Sequence, residues 1–281
     1  MGFFDWIRVV ILGLIEGVTE WLPVSSTGHL MLLDRIWPGN QAVFTPEFTK
    51  LFNVVIQIGA ILAVIITYFH RLNPISAYKS PEQKKNTWFL WAKILIAVVP
   101  AAVIGLLLDD FLDEHLSNAW VVAAMLIVYG AAFLVVETVR KNKEPVILRQ
   151  KHMTIRTAAL LGCFQILALI PGTSRSGVTI LGALLLGCSR VVSTEFSFFM
   201  GVPVIFGAGL LKFIKYVFKD KIMPTGEQWI ALILAMAVAF GISMLVIRRV
   251  LKYVKNHDFR VFGVYRILLG ILMILIFVLT M

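Results

Sequence analysis

Six uninterrupted apolar stretches dominate the chain, running from about Leu51 to Phe69, Trp88 to Leu108, Ala119 to Val136, Glu195 to Val217, Trp229 to Val250 and Phe262 to Thr280. A helix rises about 1.5 Å per residue, so each stretch is long enough to cross roughly 30 Å of hydrocarbon. With 59% hydrophobic and 15% charged residues and a mean hydropathy of +0.88, the chain lies outside the balance of a soluble globular domain. The expectation is an all-α polytopic membrane protein forming one integral membrane domain over residues 1–281.

Two further apolar regions, Ile7 to Leu33 and Thr157 to Gly187, are broken near their middles at Pro23 and Pro171. Each break leaves two half-length helices of about 10 to 14 residues, too short to cross, so both regions read as re-entrant helical hairpins with buried tips. The order of hairpin, three spans, hairpin, three spans predicts an internal repeat, about 1–140 and 150–281. An odd number of spans per copy gives the repeats inverted topology and places a shared site near the midplane. Weak echoes agree: Pro23 with Ser25-Ser26-Thr27 parallels Pro171 with Thr173-Ser174-Arg175-Ser176, and Phe52-Asn53-Val54-Val55 resembles Phe196-Ser197-Phe198-Phe199.

The net charge of +10 is carried mostly by short loops and reads as topology, not as a nucleic-acid surface. Arg71, Lys79, Lys84 and Lys85 follow the first span, Arg140, Lys141, Lys143, Arg149 and Lys151 the third, and Arg248, Arg249, Lys252 and Lys255 the fifth. These loops are expected on the cytoplasmic side, with both termini outside. Lys219 and Lys221, flanking Asp220, are a mild violation. Anionic membrane lipids are the expected neighbours, and no nucleic-acid partner is expected. No removable signal peptide is expected, because Met1 to Arg8 lacks a basic n-region. Cys163 and Cys188 suggest neither a disulfide framework nor a zinc site.

The chemistry concentrates at the two breaks. Glu16 and Glu20 lie four apart on one helix face, where two neighbouring carboxylates in a low dielectric must share a proton or a cation; Mg²⁺ or Ca²⁺ suits oxygen ligands. Ser25, Ser26, Thr27 and His29 follow at once. Either Glu20 or His29 could take a hydroxyl proton, or His29 could protonate a leaving oxygen, although a Ser-Ser-Thr run is by itself a usual helix cap. In the second break Ser174, Arg175, Ser176 and Thr179 surround a helix start, and Arg175 in mid-membrane calls for an anion; phosphate matches its bidentate fork, and a structural Arg175–Glu bridge is the plainer reading. Asn53, Gln57, Glu195 and Ser197 serve either as supports of this site or as interhelical glue. Arg266 is a buried cation without an evident partner, read as structural, and His70, His115, His152 and His257 carry no visible chemistry.

The stretches Glu16-Gly17-Val18-Thr19-Glu20, Pro23-Val24-Ser25-Ser26-Thr27-Gly28-His29 and Pro171-Gly172-Thr173-Ser174-Arg175-Ser176-Gly177-Val178-Thr179 resemble those of the undecaprenyl-diphosphate phosphatase, or bacitracin-resistance, family. The resemblance covers nearly the whole chain. It implies hydrolysis of undecaprenyl diphosphate to the monophosphate and inorganic phosphate in the bacterial cytoplasmic (inner) membrane, with the site facing the periplasmic or outer side. By the same resemblance, Glu16 and Glu20 serve the metal, Glu20, Ser26 and His29 the chemistry, and Ser25, Thr27, Ser174, Arg175, Ser176 and Thr179 hold the substrate. The rival reading is a non-enzymatic transporter or flippase of polyprenyl phosphate, which the inverted repeat alone would favour.

Overall fold

The computed structural model describes residues 1–280, and among them the backbone is helical, with no strand beyond an isolated bridge between Ile147 and Cys188. The order is α1 (Phe3–Thr19), α2 (Ser26–Ile36), α3 (Pro46–Thr67), the single turn α4 (Phe69–Leu72), α5 (Pro81–His115), α6 (Ala119–Arg140), α7 (Ile155–Ile166), α8 (Arg175–Leu185), α9 (Arg190–Ile214), α10 (Gly226–Asn256) and α11 (Arg260–Leu279). Short 3₁₀ turns lie at Gln150–His152 and Leu167–Leu169, and a π-turn at Lys215–Lys219 extends α9.

All six predicted spans are present as helices long and apolar enough to cross a membrane, so the protein is an all-α polytopic membrane protein. Several run past the apolar stretches, because capping residues and not hydropathy end a helix. Thr45 caps α3 and Asn118 caps α6, while Ser80 with Gln83 and Thr225 with Gln228 form capping boxes ahead of α5 and α10. The two interrupted regions are helix–break–helix pairs, α1–α2 and α7–α8. Their helices of 11 and 12 residues match the predicted half-length, whereas α1 reaches 17 because it begins at Phe3, where the Asp5 carboxylate accepts from Gly2 N.

The packing interleaves the two halves. Helices α1 and α3 lie on α10, α7 and α9 lie on α5, and the halves also meet through α3–α9 and α6–α11. Small residues allow these approaches, since lipid gives packing in place of a hydrophobic drive. A Cβ on Gly59 of α3 would lie 2.1 Å from the Met236 carbonyl oxygen of α10, and one on Gly130 would lie 2.7 Å from the Gly263 oxygen. Backbone cannot retreat as a side chain can. Gly59→Ala is therefore expected to destabilise the protein by about 1–3 kcal/mol, read as a lowered Tm in detergent; an unchanged Tm would show that α3 and α10 part without cost.

Ion pairs fasten the ends. Glu137 of α6 grips Arg190 of α9 with both oxygens, at 2.5 and 3.0 Å, and accepts from Phe259 N ahead of α11 at 3.0 Å. Arg8 of α1 pairs with Asp34 of α2. The acids at the end of α5 neutralise lysines at the end of α9 and in the π-turn after it: Lys212 meets Asp113 at 2.5 Å, Lys215 meets Asp109 at 2.5 Å, and Lys219, one of the two lysines on the unexpected side, meets Asp110 at 3.1 Å. Cys163 and Cys188 are both free.

Candidate active site

The two breaks meet. At each, a serine forms the N-cap of the following helix with its backbone in the left-handed region, Ser25 at φ 71° and Ser174 at φ 70°. For a residue bearing a Cβ such a conformation costs about 1–3 kcal/mol and persists only where its surroundings hold it. Both side chains do the same local work, Ser25 Oγ accepting from Gly28 N at 3.4 Å and Ser174 Oγ from Gly177 N at 3.1 Å. Across the two breaks, Ser176 Oγ donates to the Leu22 carbonyl at 3.3 Å.

Between them Glu20 Oε1 accepts from Arg175 Nη2 at 2.8 Å, and Glu20 Oε2 accepts from Ser26 Oγ at 3.2 Å. Arg175 Nη1 donates to the Ser197 carbonyl of α9 at 2.7 Å, which fixes the plane of the guanidinium. Gly201 makes room for it, since a Cβ there would come within 2.8 Å of the guanidinium carbon. The plainer reading of Arg175, a bridge to a glutamate, is the contact the structure shows. That bridge lies on the wall of a cavity of about 430 Å³, lined also by Ser25, Thr27, Gln57, Gln165 and Ser174, with Asp109 and Asp113 among its α5 residues.

Of the residues singled out from the sequence, Glu20, Ser25, Ser26, Thr27, Ser174 and Arg175 line the cavity together. Four others do not. Ser176 binds Leu22 O, and Thr179 binds Ser197 Oγ at 2.7 Å and the Arg175 carbonyl at 2.8 Å, both shaping the backbone around the guanidinium. His29 faces away, its Nδ1 donating to the Ser25 carbonyl and its Nε2 paired with Tyr265 Oη, both at 2.7 Å. Glu16 is fully enclosed one helical turn from Glu20, and neither of its oxygens has a hydrogen-bond partner.

The two carboxylates can be weighed as metal ligands. No group of three or more metal-ligating His, Cys, Asp or Glu side chains occurs among the described residues. Two carboxylates suit a magnesium-like ion only when phosphate oxygens and water complete its shell, the usual arrangement at phosphoryl-transfer sites. The unsatisfied oxygens of Glu16 are the observation that fits such an ion.

Some supporting residues were legible as polar positions and others were not. Gln57 lines the cavity, whereas Asn53 turns to Asp34 at 3.4 Å; Ser197 holds Arg175, whereas Glu195 pairs with Arg71 at 2.7 Å. Arg266 finds its partners in backbone: it donates to Pro23 O of the first break at 3.1 Å and to Gly172 O and Thr173 O of the second at 2.9 Å each. Gln165 and Tyr265 were missed, although each is a polar interruption of an apolar helix and could have been flagged on that ground.

Fold and site together define a polytopic, all-helical membrane protein with a carboxylate, a guanidinium and several hydroxyls on the wall of a cavity between two broken helix pairs. The family model described as bacitracin resistance protein BacA matches residues 9–272. The chain is 52% identical over 274 residues to an undecaprenyl-diphosphatase of Streptococcus mutans, covering 98% of this chain and 96% of that one. It is likewise 52% identical over 274 residues to an undecaprenyl-diphosphatase of Enterococcus faecalis, covering 98% of each chain, and 51% identical over 270 residues to one of Lactiplantibacillus plantarum, covering 96% and 97%. The chain belongs to the bacitracin resistance protein BacA family.

Proposed function

We propose that this protein hydrolyses undecaprenyl diphosphate to undecaprenyl phosphate and inorganic phosphate, the activity named in its relatives, which recycles the carrier lipid and underlies bacitracin resistance. The observation that carries the reading is the single carboxylate of Glu20 holding Arg175 at 2.8 Å and Ser26 Oγ at 3.2 Å on one cavity wall. Phosphoryl transfer needs little from a protein beyond positioning and charge neutralisation. Arg175 supplies a fork for phosphate oxygens, and the hydroxyls of Ser25, Thr27 and Ser174 add polar contacts. Glu20 is placed to draw the proton from Ser26 or from a water beside it, so that oxygen attacks the terminal phosphorus as the lipid monophosphate leaves; where Ser26 is the attacking oxygen, a water then displaces the phosphate from it and the serine regains its proton.

His29 acts in this reading through the Ser25 carbonyl, fixing the strained cap from which Ser26 projects. A transporter needs the anion-holding half of such a site but has no use for a hydroxyl on a carboxylate, which favours chemistry over carriage. The polyprenyl tail stays in lipid while the headgroup enters between helices. We read the broken pairs as re-entrant and the halves as inverted repeats; the exchange of partners, α1 on α10 and α7 on α5, supports this. The cavity lies along Val98 to Asp113 of α5, beyond the basic loop that precedes this helix, which supports a cytoplasmic-membrane protein whose site faces outward.

A divalent cation, Mg²⁺ or Ca²⁺, would be held by Glu16 and Glu20, and when bound it neutralises charge on the diphosphate. Purified protein in detergent, given a polyprenyl diphosphate, is expected to release phosphate, to lose at least about tenfold in rate on chelation, as befits removal of a metal Lewis acid, and to recover with Mg²⁺ or Ca²⁺. Absence of phosphate release by the wild type would end the enzymatic reading, whereas release that resists chelation would remove only the metal.

A further inference from the structure

A second cavity, of about 390 Å³, opens on the side of the molecule that carries the basic loops. It shares two walls with the first. Along α5 it is lined by residues 86 to 93 where the other takes 98 to 113, and along α9 by 191 to 195 where the other takes 203 to 211. The intervening layer includes Ile94, Ala97, Phe196, Phe198, Phe199 and Met200, each at 0 or 1% exposure. On α5 that layer is thin: Val98 comes five positions after Lys93, about 7.5 Å along the axis.

The lining of this second cavity is strongly cationic. Arg71, Lys93, Arg149 and Lys151 face it against one acid, Glu195. Glu195 is already committed to Arg71 at 2.7 Å, and among the described residues Lys93, Arg149 and Lys151 have no carboxylate within ion-pair distance. Arg149 and Lys151 are exposed at the rim, as topology alone would have them. Lys93 is different. It is 8% exposed, and its ammonium makes one hydrogen bond, to the Gln150 carbonyl at 3.1 Å, leaving two of its three donors without a protein acceptor. A buried cation so poorly satisfied is costly unless an anion completes it.

We propose that this cavity is a phosphate-binding site separate from the catalytic one. Lys93 at the floor and Arg149 and Lys151 at the rim converge on a compact anion of one or two charges, and charge-assisted contacts to phosphate oxygens satisfy the ammonium that the protein leaves open. The phosphate belongs either to the free inorganic ion or to an anionic lipid headgroup. The inference does not rest on the catalytic reading, because no residue is shared.

The test is equilibrium dialysis of labelled inorganic phosphate against the full-length protein in neutral detergent, carried out on Arg175→Ala so that the catalytic guanidinium does not contribute. One saturable phosphate per chain is expected. Adding Arg149→Ala with Lys151→Ala, both on exposed residues that folding tolerates, is expected to weaken binding at least tenfold, as is Lys93→Met, with Lys93→Arg restoring it. Repeating the measurement in phosphatidylcholine and phosphatidylglycerol nanodiscs separates the sources: binding suppressed only by the anionic lipid assigns the cavity to a headgroup, and equal binding in both assigns it to free phosphate. No saturable binding by Arg175→Ala, or binding that neither set of substitutions weakens, overturns the proposal.

Discussion

Replacing Arg175 by alanine is expected to lower kcat/KM for phosphate release by about 10²–10³-fold, the scale on which one preorganised donor to a developing oxyanion counts. Most of the loss should fall on kcat, since charge on the equatorial oxygens is greatest in the transition state. Arg175→Lys should recover little, because a point charge cannot both hold Ser197 O and present a planar fork. The substitution also strips Glu20 of its ion-pair partner on the cavity wall. Combining it with Glu20→Gln should therefore cost far less than the sum of the two single losses, as groups that act as a unit do. Steady-state phosphate release across the four proteins decides it; losses that simply add, or an Arg175→Ala variant within threefold of wild type, would separate the guanidinium from the reaction.

The second large effect is expected at Arg266, whose hydrogen bonds all go to backbone and which ties Pro23, Gly172 and Thr173 together by their carbonyls. Arg266→Met leaves those buried acceptors unsatisfied at about 1–3 kcal/mol each, so a total loss of at least about 3 kcal/mol follows. The breaks should lose their mutual register, and with it both the Glu20–Arg175 contact and activity. Thermal unfolding in detergent measures the stability, and saturating lipid diphosphate the residual kcat. A variant as stable as wild type would mean that the strained serines hold the breaks together unaided.

The site residues that sequence reading found and those it misplaced differ in one respect. Glu16, Glu20 and Arg175 stood out because a charged side chain in an apolar helix has no cheap structural explanation. Ser176, Thr179 and His29 stood out by adjacency to them, and adjacency in sequence does not fix direction: although three positions make nearly one helical turn, Ser26 at the helix start meets Glu20 while the ring of His29 is held by the Ser25 carbonyl and Tyr265. The supports were invisible for another reason. Leu22 and the carbonyls under Arg266 act through backbone atoms, which every residue carries and no composition reveals.

By itself the amino-acid sequence determined the six spans, the positions of the two breaks and the charged residues at them, because in lipid a backbone must satisfy its own hydrogen bonds and every polar side chain is conspicuous. Only the tertiary structure decided that Arg175 would reach the carboxylate of Glu20, 155 positions earlier, that Glu16 would lie buried one turn from Glu20 and off the cavity wall, and that Arg266 would stitch the breaks together. Those outcomes depend on which helix faces meet across the bundle. Close packing at glycines such as Gly59 and Gly130 sets those meetings, and it is a property of pairs of helices that no single segment contains.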